Sequence, residues 1–296
     1  MKPGDPFQSV LVSPAELHLA LSHSTASPRR IIPVAVGRQS TLGSYQGNHI
    51  PGSIFFNMDQ IRDTTSKYPV MLPDPVHFAT CMTDLGVRPD DILVVYDTLE
   101  VGFYSAPRVA WTCRYFGHAD VHVLNNFSSY VAGGFDVSSG ELPQLPNVQV
   151  DRYPICQPLS SDAVIDYKEL RDLLLSKNTA EGFQVLDARP HDRFFGKDKS
   201  DPTTPGHMPS AINIPLASIL GPARTLLKAN ELRQLFARAG VHGTLPVILT
   251  CNSGVTAAAL DLALEVSGYG MERRIYDGSW TEWTDRETDK ELIVLD

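Results

Sequence analysis

The stretch at 245–270, "LPVILTCNSGVTAAALDLALEVSGYG", decides how this chain is read. An apolar run of strand type stops at Cys251, small and polar residues follow, and an alanine-rich helical pattern begins near Val255. A cysteine therefore stands at the mouth of a helix, ringed by small and polar residues that are expected not to bury it. A strand ending at Thr250 and a helix starting near Val255 leave Cys251 to Gly254 as a tight loop. Backbone N–H groups at that place have no intrahelical partner. With the positive end of the helix dipole they favour a thiolate over a thiol. Gly254 permits a turn that a side chain would block, and Ser253 and Thr256 offer hydroxyl donors. Ala257, Ala258 and Ala259 let the helix lie close to a sheet. A free cysteine in isolation is more often a small buried hydrophobe than a reagent; this setting makes Cys251 the candidate nucleophile.

Outward from that loop, the chain reads twice. Each half has a strand, a His-containing turn, another strand, a helix and a last strand ending in a turn. In the first half these are "HIPGSIFFNM" from His49, "DILVVYD" to Asp97 and "VHVLNNFSSY" from Val121. In the second they are "HMPSAINIPL" from His207, "LPVILTC" to Cys251 and "RRIYDGSWTEW" from Arg273. The spacings agree, 97 − 49 = 48 against 251 − 207 = 44. Short β-branched strands alternating with helices predict two α/β domains, each a mainly parallel sheet flanked by helices. The stretch at 138–162 holds four prolines and little periodicity, which predicts an extended linker. We therefore expect a first domain over 1–140, a linker over 141–162 and a second domain over 163–296. Behind the linker, "AVIDYKELRDLLLSKN" has helical spacing after an Asp cap.

With 296 residues and 43% hydrophobic content, the chain can bury a core in each of two domains. A net charge of -9 argues against a nucleic-acid surface but leaves anionic small molecules open, since one nearby arginine outweighs a distant field. No apolar run approaches the ~20 residues that span a bilayer, and the N-terminal "MKPGDPFQSVLVSP" has neither a signal-peptide core nor a transit-peptide charge pattern. The cysteines at 81, 113, 156 and 251 form no CxxC pair and no metal-ligand pattern. A soluble protein with reduced thiols and no metal or organic cofactor is expected, in the cytoplasm or alternatively in mitochondria.

The paired H-x-P turns, "APRVAW…FGH" at Ala106 to His118, "VLDARPHDRF" at 185–194, "CNSGVTA" and "YDGSWTEW" together resemble the tandem rhodanese-type sulfurtransferases over nearly the whole chain. The resemblance implies two rhodanese domains with only the second catalytic, and Asp97, at the place of Cys251, agrees. It implies Cys251 as nucleophile and gives Ser253 a catalytic part. Asn252, Gly254, Val255 and Thr256 would bind the donor through the loop, and Arg193, which matches the family's R-F motif, would bind the donor's anionic end. A guanidinium fork suits a carboxylate or thiosulfonate; the plainer role for Arg193 is an ion pair with Asp192 or Asp198. Asp187 and Arg189 read as a structural pair, His49 and His207 as fold-keeping hydrogen bonds, and Trp280 and Trp283 as core or pocket wall.

Neutral Asn252 and Ser253 after the cysteine resemble the mercaptopyruvate members rather than the thiosulfate members, which place basic residues there. Two departures go the other way. The second arginine of an "E-P-R" stretch is missing, with only Lys197 or Lys199 nearby, and Val70 stands where the family often has a His before "MLP", although Asp59 is retained. The partners implied are a small anionic sulfur donor and a thiol acceptor, either a small thiol or a thioredoxin-like protein. A phosphatase of this fold would need C-x5-R, but six positions past Cys251 stands Ala257. A non-catalytic binding module or a sulfur-relay protein remains as the alternative function.

Overall fold

A computed structural model describes residues 4–23, 29–141, 152–157, 161–176, 182–198 and 204–295. By internal contacts the chain forms two compact units. The first comprises Met1–Thr65, Leu72–Ser160 and Pro222–Thr225, the second Ser66–Met71, Ser161–Gly221 and Leu226–Asp296.

In the first unit the strands are β1 (Leu11–Val12), β2 (Ile31–Gly37), β3 (Ile54–Asn57), β4 (Ile92–Asp97) and β5 (Val121–Leu124). They form one parallel sheet in the order β1-β5-β4-β2-β3. Helices α1 (Pro14–Ser22), α2 (Leu42–Gly47), α3 (Pro75–Asp84), α4 (Ala106–Tyr115) and α5 (Phe127–Ala132) accompany it. The second unit repeats the order with β6 (Val164–Ile165), β7 (Gln184–Asp187), β8 (Ile212–Asn213), β9 (Val247–Thr250) and β10 (Arg273–Tyr276), as β6-β10-β9-β7-β8, again all parallel. Its helices are α6 (Tyr167–Leu175), α7 (His191–Phe194), α8 (Ala229–Arg238), α9 (Ala257–Val266) and α10 (Ser279–Arg286). The expected pair of parallel α/β sheets is present.

Strands β4 and β9 are fully buried runs in the middle of their sheets, as expected where both faces are covered. The chain leaves β7 toward one edge through β8 and leaves β9 toward the other through β10. The crevice at the carboxyl ends of β7 and β9 is thus a topological switch point, where sites form in open α/β sheets. Helix α6 starts where its cap was placed, with the Asp166 side chain accepting the Glu169 N–H at 2.8 Å. Helix α9 starts at Ala257, two residues later than its pattern suggests, because Val255 and Thr256 belong to the turn.

The two His turns are built alike. His49 exchanges backbone hydrogen bonds with Ser138, and its ring Nδ1 lies 2.9 Å from the Tyr45 carbonyl. His207 exchanges them with Val294, its Nδ1 is 2.9 Å from the Met208 carbonyl, and it stacks on Phe194 at 3.9 Å. Each imidazole therefore ties a turn to its own unit. Trp280 and Trp283 are fully buried, each indole N–H reaching a backbone carbonyl (Thr204 at 2.8 Å, Leu292 at 3.1 Å), so both belong to the core.

Of the linker, 152–157 is without helix, and Tyr153 is buried against the first unit, its hydroxyl 2.8 Å from His118 Nδ1. The remaining linker residues 142–151 and 158–160 lie outside the described residues, as does Lys199.

Candidate active site

Cys251 follows the last residue of β9, and α9 begins six residues on. The small residues around it do bury it. Cys251 is 2% exposed, with Gly254, Val255 and Thr256 also buried, because the loop folds back over the strand end. Gly254 sits at φ 76, a left-handed turn that favours glycine. Ala257, Ala258 and Ala259 are all fully buried, so α9 approaches the sheet closely.

The loop is gripped by the start of α10. The carbonyl of Cys251 accepts the Trp280 N–H at 3.0 Å, and the carbonyl of Asn252 accepts the Thr281 N–H at 3.0 Å and its hydroxyl at 2.7 Å. Ser279 Oγ accepts the N–H groups of Cys251 at 3.2 Å and Gly254 at 3.0 Å. Among the described residues, the amides of Ser253, Val255 and Thr256 take no acceptor. Thr256 stands at the N-cap of α9 without capping it through its side chain. Three amides without an acceptor thus lie in the same short loop as a buried cysteine at a helix start, a setting suited to an anion.

Arg193 lies in α7, a four-residue helix; Pro190 presets the turn, and its carbonyl accepts the Arg193 and Phe194 N–H groups. Helix α7 follows β7, whose Asp187 pairs in register with Thr250 of β9. The segments that carry Arg193 and Cys251 therefore leave neighbouring strands at the same end of the sheet. The Arg193 Nε is 3.3 Å from Asp198 Oδ2, with the arginine side chain 38% exposed, so the plainer ion pair is formed in this structure. Arg189 is a different case. It bonds both oxygens of Asp187 (2.9 and 2.7 Å to Oδ2) and the Gly206 carbonyl, and lies 4.1 Å over the Trp280 ring, a buried brace as expected. Lys197 sits 5.3 Å over the Phe195 ring.

In the first unit the place of Cys251 is taken by a carboxylate. Asp97 Oδ2 accepts the N–H groups of Tyr104 and Ala106 at 2.8 and 3.0 Å, and Oδ1 accepts that of Ser105 at 2.8 Å. The loop before α4 is thus filled by the chain's own anion. Asp59 is committed to Arg38 (2.9 Å) and the Gln39 N–H (2.9 Å) in the same unit. Val70 is 4% exposed and belongs by its contacts to the second unit. All four cysteines are free thiols. Burial pushes the Cys113 thiol up to about 12, and burial and Asp84 push that of Cys81 up, which keeps both protonated and inert. Among the described residues no group of His, Cys, Asp and Glu could hold a metal ion.

A Rhodanese-like domain model matches residues 166–286, the stretch that carries the Cys251 loop and its α10 clamp. A thiosulfate sulfurtransferase of Saccharomyces cerevisiae, TUM1, is 37% identical over 79% of this chain and 79% of its own length. The chain belongs to the rhodanese-type sulfurtransferases. A 3-mercaptopyruvate sulfurtransferase of Rattus norvegicus is 35% identical over 84% of this chain and 81% of its own. The crystal structure of the yeast Tum1 protein superposes with a TM-score of 0.85 at 32% identity, covering 96% of this chain and 97% of that one. This rhodanese-type protein is accordingly a sulfurtransferase built from two rhodanese-like units. The sequence reading missed Ser279; the signal was the "YDGSWTEW" stretch itself, read there only for its tryptophans. Among the described residues no helix is long and apolar enough to cross a membrane.

Proposed function

We propose that this sulfurtransferase takes its sulfur from 3-mercaptopyruvate, holds it as a Cys251 persulfide and passes it to a thiol. Residues 163–296 carry the reaction, 1–140 form the non-catalytic domain, and 141–162 join them. The observation that carries the choice of donor is that residues 251–256, Cys-Asn-Ser-Gly-Val-Thr, hold no charged side chain. A dianion such as thiosulfate gains most from basic groups beside the sulfur, whereas a monocarboxylate needs its cation at the far end, where Arg193 stands.

In the first displacement the Cys251 thiolate attacks the donor sulfur. The carbon–sulfur bond breaks, pyruvate leaves as its enolate and takes a proton from solvent. In the second, an acceptor thiolate attacks the outer sulfur, the persulfide bond breaks and the Cys251 thiolate returns. Splitting the transfer in two implies ping-pong kinetics. The amides of Ser253, Val255 and Thr256 serve both anionic states, and the hydroxyl of Ser253 is the loop group assigned a catalytic part. Asn252, Gly254, Val255 and Thr256 form the wall of the donor site. The acceptor is a small thiol or a thioredoxin-like protein, which places the reaction in a thiol-rich compartment, the cytoplasm or alternatively mitochondria.

The test is single-turnover loading of the reduced protein, read as a gain of one sulfur on the Cys251 peptide, with mercaptopyruvate and thiosulfate compared at equal concentration. Faster loading from mercaptopyruvate supports the proposal. Preference for thiosulfate, the donor named for the yeast relative, transfers the assignment to that donor. Loading from neither moves the protein to a binding or relay role. Cys251→Ser should take up no sulfur from either donor while keeping its fold.

A further inference from the structure

The two units are a natural control for each other. Val95 pairs with Val123 between β4 and β5, and Leu249 pairs with Ile275 between β9 and β10. Two residues beyond the first member of each pair stand Asp97 and Cys251; in the turn beyond the second stands one left-handed residue, Asn126 at φ 79 and Ser279 at φ 48. The unit with a carboxylate satisfies its loop amides with that carboxylate and has at the second place an amide side chain, Asn126, whose oxygen accepts the Ser128 N–H. The unit with the cysteine has a hydroxyl there instead.

That hydroxyl is saturated. Ser279 Oγ accepts from the amides of Cys251 and Gly254 and donates its proton to the Tyr276 carbonyl at 2.8 Å. One donor and two acceptor positions are all that a serine has. Ser279 therefore has nothing left to give to the sulfur or the donor and acts only through the loop. It does so from a fully buried position at φ 48, a left-handed conformation that costs a non-glycine residue energy. Glycine would hold that backbone without strain, so the side chain is what the position requires. The neighbouring residue shows the same crowding, since a Cβ on Gly278 would come within 2.0 Å of Glu282 Oε2.

We propose that Ser279 is a positioning residue for sulfur transfer, resting on the sulfurtransferase reading above. Its oxygen pins both ends of the turn from Cys251 to Gly254, while the amides of Trp280 and Thr281 draw the loop's carbonyls toward α10. The carbonyls of Cys251 and Asn252 are thereby drawn toward α10, and the amides of Ser253, Val255 and Thr256 are left open for an anion. The electrostatics of the site are organised before the donor arrives, which is where such an arrangement lowers a barrier.

The experiment compares wild type, Ser279→Gly and Ser279→Ala in single-turnover loading over a range of mercaptopyruvate and thiosulfate concentrations, with near-ultraviolet circular dichroism of each. Ser279→Gly removes the hydroxyl and relieves the backbone strain, so it tests the oxygen apart from the turn. Loss of two loop hydrogen bonds should slow the limiting loading rate at least about tenfold in both variants, with half-saturating donor unchanged within about twofold. Wild-type loading by Ser279→Gly would overturn the proposal. So would a change confined to half-saturating donor, which would assign Ser279 to binding, or loss of native dichroism in Ser279→Gly, which would assign it to the fold. If wild type itself takes up no sulfur, the sulfurtransferase reading fails instead.

Discussion

At Arg193 two anions compete for one guanidinium. Asp198 holds it at 3.3 Å in a half-buried pair, and a single contact of that length contributes on the order of 1 kcal/mol. A donor carboxylate would bind the fork with two parallel hydrogen bonds in place of the single one that Asp198 accepts. Arg193→Ala should therefore leave thermal stability nearly unchanged and raise the donor KM about tenfold, with the acceptor half-reaction unaffected. An unchanged KM in steady-state assays would return Arg193 to its pair with Asp198. The competition was legible in the sequence, where the R-F motif and the acidic neighbours were both visible. Which partner the arginine takes in the absence of donor was not, because that depends on how α7 turns its side chains.

At the scale of elements, the loops after β4 and β9 are one design with two fillings. Burial pushes the Asp97 carboxyl up to about 6 from an ordinary 3.8, against the pull of three backbone amides. The folded state then holds a proton that the unfolded chain has released. Its contribution to stability is fully present below pH about 3.8 and is lost as pH rises through about 6. The stability of wild type relative to Asp97→Asn should fall between pH 4 and pH 8, by up to about 3 kcal/mol. Denaturant titrations of both proteins at the two pH values would decide, and a relative stability that rises with pH would mean that the amides outweigh desolvation. The His turns give a second comparison between the units. Gly52 and Ser210 take the same left-handed place, at φ 78 and 57, and both are exposed. Ser210→Gly should raise stability by about 0.5–1 kcal/mol, seen as a higher Tm with unchanged sulfur loading. The repeat told us that these turns correspond; only the dihedrals told us that one of them is strained.

For the molecule as a whole, the order of the chain is not the order of its packing. Residues 66–71 come early in the sequence yet pack with the second unit, where Lys67 and Tyr68 both bond Asp285 of α10. Residues 222–225 pack with the first, where the Asn126 amide reaches the carbonyls of Ala223 and Arg224. A fragment starting at residue 161 therefore lacks part of its own unit. Losing the burial of Val70 alone should cost it about 1.5–3 kcal/mol. Urea titration of the fragment against the full chain, followed by the fluorescence of buried Trp280 and Trp283, measures this; equal midpoints for the second unit would show that the stretch adds nothing.

Local pattern gave the candidate nucleophile, the repeat, the parallel sheets and the braces at Asp187 and Arg189, since strand runs, caps and turn residues act within a few positions of one another. Contacts between positions 25 and 28 residues apart made Ser279 the clamp of the Cys251 loop, and packing across the chain moved residues 66–71 to the second unit. Such contacts arise when separate elements meet, and no short window of sequence contains both partners.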